Sequence, residues 1–347
     1  MTPVALSVLP ERARAAAEIA AVLTPGRDIA LTTHVNADGD GLGSEVALWH
    51  LLKARGHGVS IANPTAIPER FNFLLPDGAD HCDRAAAAID AADVTIVLDV
   101  SDLGRLGDLA PIVRRSRGPV ACIDHHVSPG SLPPGPRLVD PEAAATAELV
   151  FDFARALAWD VGPDTARALY IGIVTDTGGF RFANTTSRVL HVAGELLETG
   201  IDPESIYESV YASAPEGRIR LTAEVLDTLV VEPDVGLAWV TVPPDALARH
   251  GATPDDLDGI VEYPRSIAGV RLALLFRQLA NGRVKISYRS LGNVDAAELA
   301  NEFGGGGHRK AAGAAVSGEM GDVQERVLGS ARRYLRSLRG EYAPATR

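Results

Sequence analysis

DIALTTHVNADGDGLGSEVALWHLLKARG (28–56) reads as a strand, a polar loop and a helix in immediate succession. DIALTTH (28–34) is an apolar and β-branched run, the pattern of a strand buried on both faces. SEVALWHLLKARG (44–56) has helical spacing, with Ser44 expected as N-cap and Gly56 as stop. The loop between them collects His34, Asp38 and Asp40 in an H-x3-D-x-D pattern. A helical pattern precedes this unit at 10–23, and short apolar runs follow at VTIVLDV (94–100) and PVACIDHH (119–126). Strands alternating with helices predict an α/β fold: an N-terminal, mainly parallel sheet with helices on both faces. Such sheets gather their ligands at the carboxyl ends of the strands.

Beyond a helix at about 187–199 the pattern changes. Residues 204–229 look helical, and strand-like runs follow at 237–242, 269–278 and 282–290. A short helix (295–303), a glycine run (304–307) and a basic amphipathic helix (322–338) complete a smaller C-terminal α/β domain. The expected division is a catalytic domain over 1–200, a helical linker over 201–228 and a substrate-binding domain over 229–340, with the active site in the cleft between.

Composition narrows the function. Hydrophobic residues make up 46% and charged residues 22% of the 347, which excludes wholesale disorder. Apolar runs are too short for a membrane helix, and Cys82 and Cys122 are too few for a disulfide framework, so a cytoplasmic protein is expected. The net charge of −12 argues against a long nucleic-acid partner but allows a small anionic substrate. The charge is uneven: residues 265–310 hold eight Lys/Arg and three acids.

The acids and histidines supply the chemistry. His34, Asp99 and Asp124 each end an apolar run, and Asp176 closes the helical run TARALYIGIVTD. An acid such as Asp99 is expensive to bury without a partner. An anion at a helix C-terminus, as at Asp176, is disfavoured by the macrodipole unless a cation lies near. In Asp124–His125–His126, adjacent side chains point to opposite faces, so one can ligate while its neighbours serve the ligand or the substrate. Taken singly, each of these reads as a turn, a cap or a salt bridge such as Asp99 to Arg105. Taken together, they fall where an open α/β sheet collects its ligands. An EF-hand starting at Asp38 fails, because Leu42 and Trp49 occupy ligand positions. The charge of Asp38, Asp40, Asp99 and Asp176 matches two divalent cations; mixed imidazole and carboxylate ligation suits Mn2+ and permits Mg2+ or zinc. Two such ions activate water and clamp a phosphoryl group, which points to phosphoester hydrolysis. FGGGGHRKAAG (303–313) offers glycine N–H groups and cations to an anion, but fits neither a Walker A loop nor GxGxxG. In KISYRS (285–290), Lys285, Ser287 and Arg289 share a face.

HVNADGDGLGS, VLDVSD, IDHH and IVTDTGGF, followed by SYRS and GGGGHRKAAG, resemble in order the motifs of the DHH phosphoesterase superfamily with its DHH-associated C-terminal domain. Length and layout are similar to its nanoRNA phosphodiesterases. The resemblance implies one metal held by His34, Asp38 and Asp99, and a second held by Asp40, Asp99, His125 and Asp176. It implies that Asp124 orients a ligand and that His126 contacts the scissile phosphate or assists the leaving group. Arg289, Ser287, Gly305, Gly306, Gly307 and His308 would bind the far end of a nucleotide, and Arg105 a phosphate. Ala37 stands where the family commonly has Pro, without removing a ligand. The implied substrates are short RNA, dinucleotides such as pApA, and 3′-phosphoadenosine 5′-phosphate, with no long duplex and no membrane partner; a homodimer is allowed. The alternatives are a cyclic-dinucleotide phosphodiesterase, a pyrophosphatase or polyphosphatase, and a non-catalytic nucleotide sensor.

Overall fold

Strands that bury both faces need apolar side chains on both, and the expected runs near 28, 94 and 119 form such strands in the computed structural model, which describes residues 6–127, 131–307 and 309–338. The chain divides into two units, Met1–Ser213 and Ala214–Arg347. In chain order the first unit contains α1 (Pro10–Ala20), β1 (Asp28–Thr32), α2 (Gly39–Lys53), β2 (Gly58–Ile61), α3 (Ala85–Ala91), β3 (Val94–Leu98) and α4 (Ala110–Arg114). It continues with β4 (Val120–Asp124), β5 (Arg137–Val139), α5 (Thr146–Ala156), α6 (Pro163–Asp176), α7 (Ser187–Glu198) and α8 (Pro203–Tyr211). Its five strands are all parallel, in the order β2-β1-β3-β4-β5. Alternation along β1 serves two cores: Ile29 and Leu31 pack on the side of α2, α5 and α6, while Ala30 packs on the side of α3 and α4. The expected mainly parallel sheet with helices on both faces is what forms; β2 and β5, its two edges, are short additions to the sequence reading.

Helix α2 starts five residues earlier than expected. Its N-cap is Asp38, whose carboxylate accepts from the N–H groups of Asp40 and Gly41, and Ser44 is buried in the helix interior. Gly39, Gly41 and Gly43 weaken a helix by propensity, which hides this first turn from a pattern search. Packing explains them. A Cβ on Gly43 would lie 2.5 Å from the Ala168 carbonyl oxygen and 2.9 Å from the Gly172 nitrogen of α6. A Cβ on Gly172 would fall 2.6 Å from the Cβ of Ala147 and 2.9 Å from an Asp40 oxygen. The bare glycines therefore let α2 and α6 touch backbone to backbone, which sets Asp40 beside the end of α6.

Helix α5 is anchored from the opposite side. The buried Arg12 guanidinium of α1 bonds Asp140 at 2.7 Å, Glu148 at 2.8 Å and Asp152 at 2.7 Å. Arg188 of α7 pairs with the same Glu148 and Asp152.

The second unit contains α9 (Glu216–Leu226), β6 (Val230–Glu232), β7 (Leu237–Thr241), α10 (Ala246–Arg249), α11 (Glu262–Arg265), β8 (Leu272–Gln278) and β9 (Arg283–Ser290). It ends with α12 (Ala296–Asn301), β10 (Gly306–Gly307), β11 (Ala311–Ser317) and α13 (Met320–Ser337). Its six strands run β10-β11-β9-β8-β7-β6; β7 and β8 are parallel and the other pairings antiparallel. Leu274, Phe276 and Tyr288 face α13, and Ala273 and Leu275 face α9. Across 201–228, α8 packs into the first unit through Ile206 and α9 into the second through Leu221 and Val225. Among the described residues no helix is long and apolar enough to cross a membrane.

Replacing Gly43 by Ala is expected to push α2 off α6. Overpacking of this kind costs about 1–3 kcal/mol, measurable by urea unfolding, and Mn2+ affinity measured by calorimetry should fall with it. Unchanged ion uptake in G43A would show that this crossing does not set the site.

Candidate metal centre

Three adjacent strands, β1, β3 and β4, deliver the first groups at their carboxyl ends. His34 lies two residues past β1, Asp99 one past β3, and Asp124 closes β4 with His125 and His126 behind it. Asp99 turns inward on left-handed backbone, φ 57°, a conformation that costs a non-glycine residue about 1–2 kcal/mol. Helix α2 adds Asp38 and Asp40 from its first turn, and α6 adds Asp176, its last residue.

These side chains form three overlapping groups: His34, Asp38 and Asp99; Asp40, His125 and Asp176; and Asp99, His125 and His126. His34 Nε2 is 3.6 Å from Asp38 and 3.6 Å from Asp99. His125 Nε2 is 3.6 Å from Asp99, 3.5 Å from Asp176 and 3.9 Å from Asp40. These gaps exceed good hydrogen bonds; they approach the spacing, about 3–3.5 Å, of neighbouring ligands around one ion with bonds of about 2.0–2.2 Å. Both rings are turned for ligation. The Nδ1 of His34 sits 2.9 Å from the Val35 carbonyl, and that of His125 sits 3.3 Å from the Ala143 carbonyl. A carbonyl only accepts, so each Nδ1 carries a hydrogen, and each Nε2, facing the carboxylates, is the nitrogen that can ligate once it gives up its proton to a competing cation. His34 Nε2 is buried with no hydrogen-bond partner. A buried orphan nitrogen aimed between two carboxylates fits a divalent cation.

The electrostatics agree. Burial opposes a charged His34 ring, yet Asp38 and Asp99 lift its pKa to about 10, so the cluster draws in a positive charge. Burial, with Asp99, Asp176 and Asp38 close by, raises Asp40 well above the usual carboxylate range. Burial also lifts Asp176 to about 6, with Asp99 and Asp38 adding to it against His125. Asp99 goes the other way: burial works against its charge, but His34, His126 and His125 hold it below the ordinary range.

Supporting contacts come from groups that carry no motif. The Thr146 and Ala147 N–H groups, at the start of α5, donate to the two oxygens of Asp40 at 2.7 and 2.9 Å. The positive end of the α5 dipole thus faces a buried carboxylate. The Thr146 hydroxyl donates to Asp99 at 2.9 Å. Asn184 donates to the Asp176 carbonyl at 3.1 Å and to its carboxylate at 3.4 Å. Backbone donors leave no trace in a sequence, and Thr146 reads as an ordinary helix start. Asp124, fully buried, accepts from His126 N at 3.1 Å and from its Nδ1 at 2.8 Å, and burial of His126 is outweighed by this partner, so its pKa rises.

The remaining expected residues are placed as follows. Arg105 is half-buried in a turn whose carbonyl accepts from Val35 N at 2.8 Å. Ser287 and Arg289 share a face of β9, and Arg289 Nε donates to Glu262 at 3.0 Å. Gly305 and Gly307 press on β11, where a Cβ would fall 2.1 Å from the Gly313 carbonyl and 2.6 Å from that of Ala311; the side-chain direction of Gly306 is more open. His308 lies outside the described residues. Besides Glu148 and Asp152, a further buried acid went unexpected: Glu45, inside α2, takes a 2.8 Å hydrogen bond from Asn63 on one oxygen and has no partner for the other. Burial lifts its pKa to about 8 although Asn63 pulls the other way.

Comparison with known proteins matches residues 28–173 to the N-terminal domain of the DHH family and residues 235–337 to the DHHA1 domain. A Thermus thermophilus protein named bifunctional oligoribonuclease and PAP phosphatase NrnA is 36% identical over 310 residues, 88% of this chain and 90% of the relative. A Bacillus subtilis protein of the same name is 27% identical, covering 86% and 92%. The crystal structure of an exopolyphosphatase-related protein from Bacteroides fragilis superposes with a TM-score of 0.88 at 30% identity, covering 94% of this chain and 97% of that one.

Two outcomes follow from these contacts. Thr146→Val keeps the shape but removes the hydroxyl from Asp99, and Mn2+ affinity should fall about 10- to 100-fold with an unchanged circular dichroism spectrum. Glu45 keeps in the folded state a proton that the unfolded chain gives up near its ordinary pKa. Its stabilising contribution is therefore complete below about pH 4.5 and is lost as pH climbs through about 8. In chelator, the stability advantage of Glu45→Gln over the parent should widen from pH 5 to pH 8 in urea titrations; a constant difference would contradict the buried proton.

Proposed function

The chain belongs to the DHH family of phosphoesterases and also carries a DHHA1 domain, and from that premise we propose that it hydrolyses short oligoribonucleotides such as pApA and dephosphorylates 3′-phosphoadenosine 5′-phosphate. The observation that carries this reading is the set of three ligand groups overlapping at Asp99 and His125. In it, His34, Asp38 and Asp99 hold one divalent ion, and Asp40, Asp99, His125 and Asp176 hold a second. Mn2+ suits the mixed nitrogen and oxygen donors, and Mg2+ is the next best fit. Bound ions of this kind lower the pKa of water and neutralise charge on a phosphoryl group.

The protein's own groups do the rest. Thr146 fixes the carboxylate of Asp99 between the two ligand sets. The α5 N–H groups partly oppose the protonation that burial and the neighbouring acids press on Asp40, and hold both its oxygens in place. Asp124 takes the Nδ1 hydrogen of His126, so the Nε2 side of that ring is turned to the substrate, where it donates to a phosphoryl oxygen or to the departing oxygen. Arg105 contributes a positive charge near His126. In the second unit, Arg289 and Ser287, with Gly305, Gly306, Gly307 and His308, bind the nucleotide away from the scissile bond. Glu262 holds the Arg289 guanidinium in place until a phosphate competes for it.

The test is a parallel assay with Mn2+ against pApA, RNA of three to five nucleotides, 3′-phosphoadenosine 5′-phosphate, cyclic di-AMP and pyrophosphate. Linear dinucleotide, short RNA and the bisphosphate should turn over, and excess chelator should abolish all three activities. Asp99→Asn should lower kcat at least a thousand-fold while the thermal transition stays cooperative. Pyrophosphate as the sole good substrate would replace this reading with a pyrophosphatase.

A further inference from the structure

The segment that follows Asp176 has an unusual backbone. Gly178, Gly179 and Phe180 lie in succession on left-handed φ angles of 57°, 69° and 63°. A run of three such residues, one of them a bulky aromatic, persists only where its surroundings impose it. The anchor is visible: Phe180 is partly buried against the first unit's core and meets Tyr170 edge-on, ring centres 6.2 Å apart. The Gly179 N–H donates to the Val174 carbonyl at 2.7 Å, and the Arg181 and Phe182 N–H groups both donate to the Thr177 carbonyl at 3.0 Å.

This turn projects Arg181 and Phe182 outward, next to a metal ligand. Phe182 is 48% exposed, yet its ring is not loose. It lies against the bare Cα of Gly178, where any Cβ would come within 2.4–2.6 Å of the ring. Arg181 Nε donates to the Gly178 carbonyl at 2.5 Å, so the guanidinium is also held. Another aromatic borders the same place. Tyr211 is 43% exposed, and its hydroxyl reaches the Val174 carbonyl at 3.4 Å, two residues before Asp176. Fixed aromatic faces, interleaved with a cation and open to solvent, are how proteins grip unpaired bases without reading their sequence.

We propose that Phe182, seated on Gly178 and flanked by Arg181, is a stacking platform for one nucleobase of the substrate, built into the catalytic unit beside Asp176. This rests on the nucleotide-hydrolase reading above and adds to it a base-side contact within the first unit. A nucleotide whose phosphate lies at the metal ligands has its base within reach of the turn that those ligands begin. Arg181 meets the sugar-phosphate edge of the same nucleotide.

The platform is tested with pApA and its two abasic analogues, each lacking one adenine, under Mn2+. Stacking is worth about 1–3 kcal/mol per base, which is about 5- to 150-fold in kcat/KM. The parent protein should therefore favour pApA over one of the two analogues by such a factor. In Phe182→Ala that preference should collapse towards unity, chiefly through KM; in Phe182→Trp it should persist, and in Phe182→Leu, which keeps an apolar contact on Gly178 without a π face, it should be mostly lost. Mn2+ affinity is measured for each variant, so that a disturbed Asp176 is recognised. If Phe182→Ala loses activity equally on pApA and on both analogues, or if its preference for the base is intact, the platform is wrong. If the parent protein cleaves no nucleotide at all, the function proposed above fails first, and the two failures are told apart.

Discussion

Four carboxylates, those of Asp38, Asp40, Asp99 and Asp176, crowd one partly buried space, and their mutual repulsion is the constraint that the catalytic unit is built around. Buried like charges cannot all remain ionised in isolation. The response of the side chains shows it: Asp40 and Asp176 are pushed towards protonation, and His34 is pulled towards the imidazolium. Each of these shifts stands in for the same missing quantity, positive charge at the centre. Divalent cations held as proposed would relieve all of them together, and the fold would then tolerate a cluster that otherwise opposes its own stability.

The protein also meets part of that demand with uncharged groups. The start of α5 points its N–H groups at Asp40, and Arg12 and Arg188 pin the same helix through Glu148 and Asp152. The glycines of α2 belong to the same design. They sacrifice helix propensity in the first turns, and in return the backbones of α2 and α6 meet closely enough for Asp40 and Asp176 to face one ring, that of His125. Local propensity loses here to the placement of two acids.

Much of the cluster was legible because ionisable side chains that close apolar strands and helices stand out in a sequence. His34, Asp99, Asp124 and Asp176 could be picked out as acids and rings closing apolar runs, and the parallel sheet then made them neighbours. The start of α2 was not legible. Three glycines look like a loop; the reason for Gly39 and Gly43 lies in α6, some 130 positions away, and that for Gly41 in the side chain of Thr33. The donors to Asp40 are main-chain atoms, which every residue has. Glu45 was missed because an acid in an amphipathic pattern is taken for the solvated face, whereas α2 is buried nearly all round. The glycine run at 304–307 shows the converse: Gly305 and Gly307 are accounted for by the closeness of β11, whatever ligand they also serve.

Charge distribution connects the two units to the size of the substrate. A chain with net charge −12 repels phosphates in general. It can bind them only where cations outnumber acids, and 265–310 is such a stretch. Affinity for a long strand accumulates phosphate by phosphate through released counterions, so it needs cations spread along a whole surface. Here the positive charge is confined, and part of it is already engaged, as Arg289 and Arg265 are by Glu262. Outside that stretch the chain carries a net charge of −17, so each phosphate beyond the first few adds little. The proposed preference for short substrates then needs no steric stop, because few stretches of the chain carry an excess of cations.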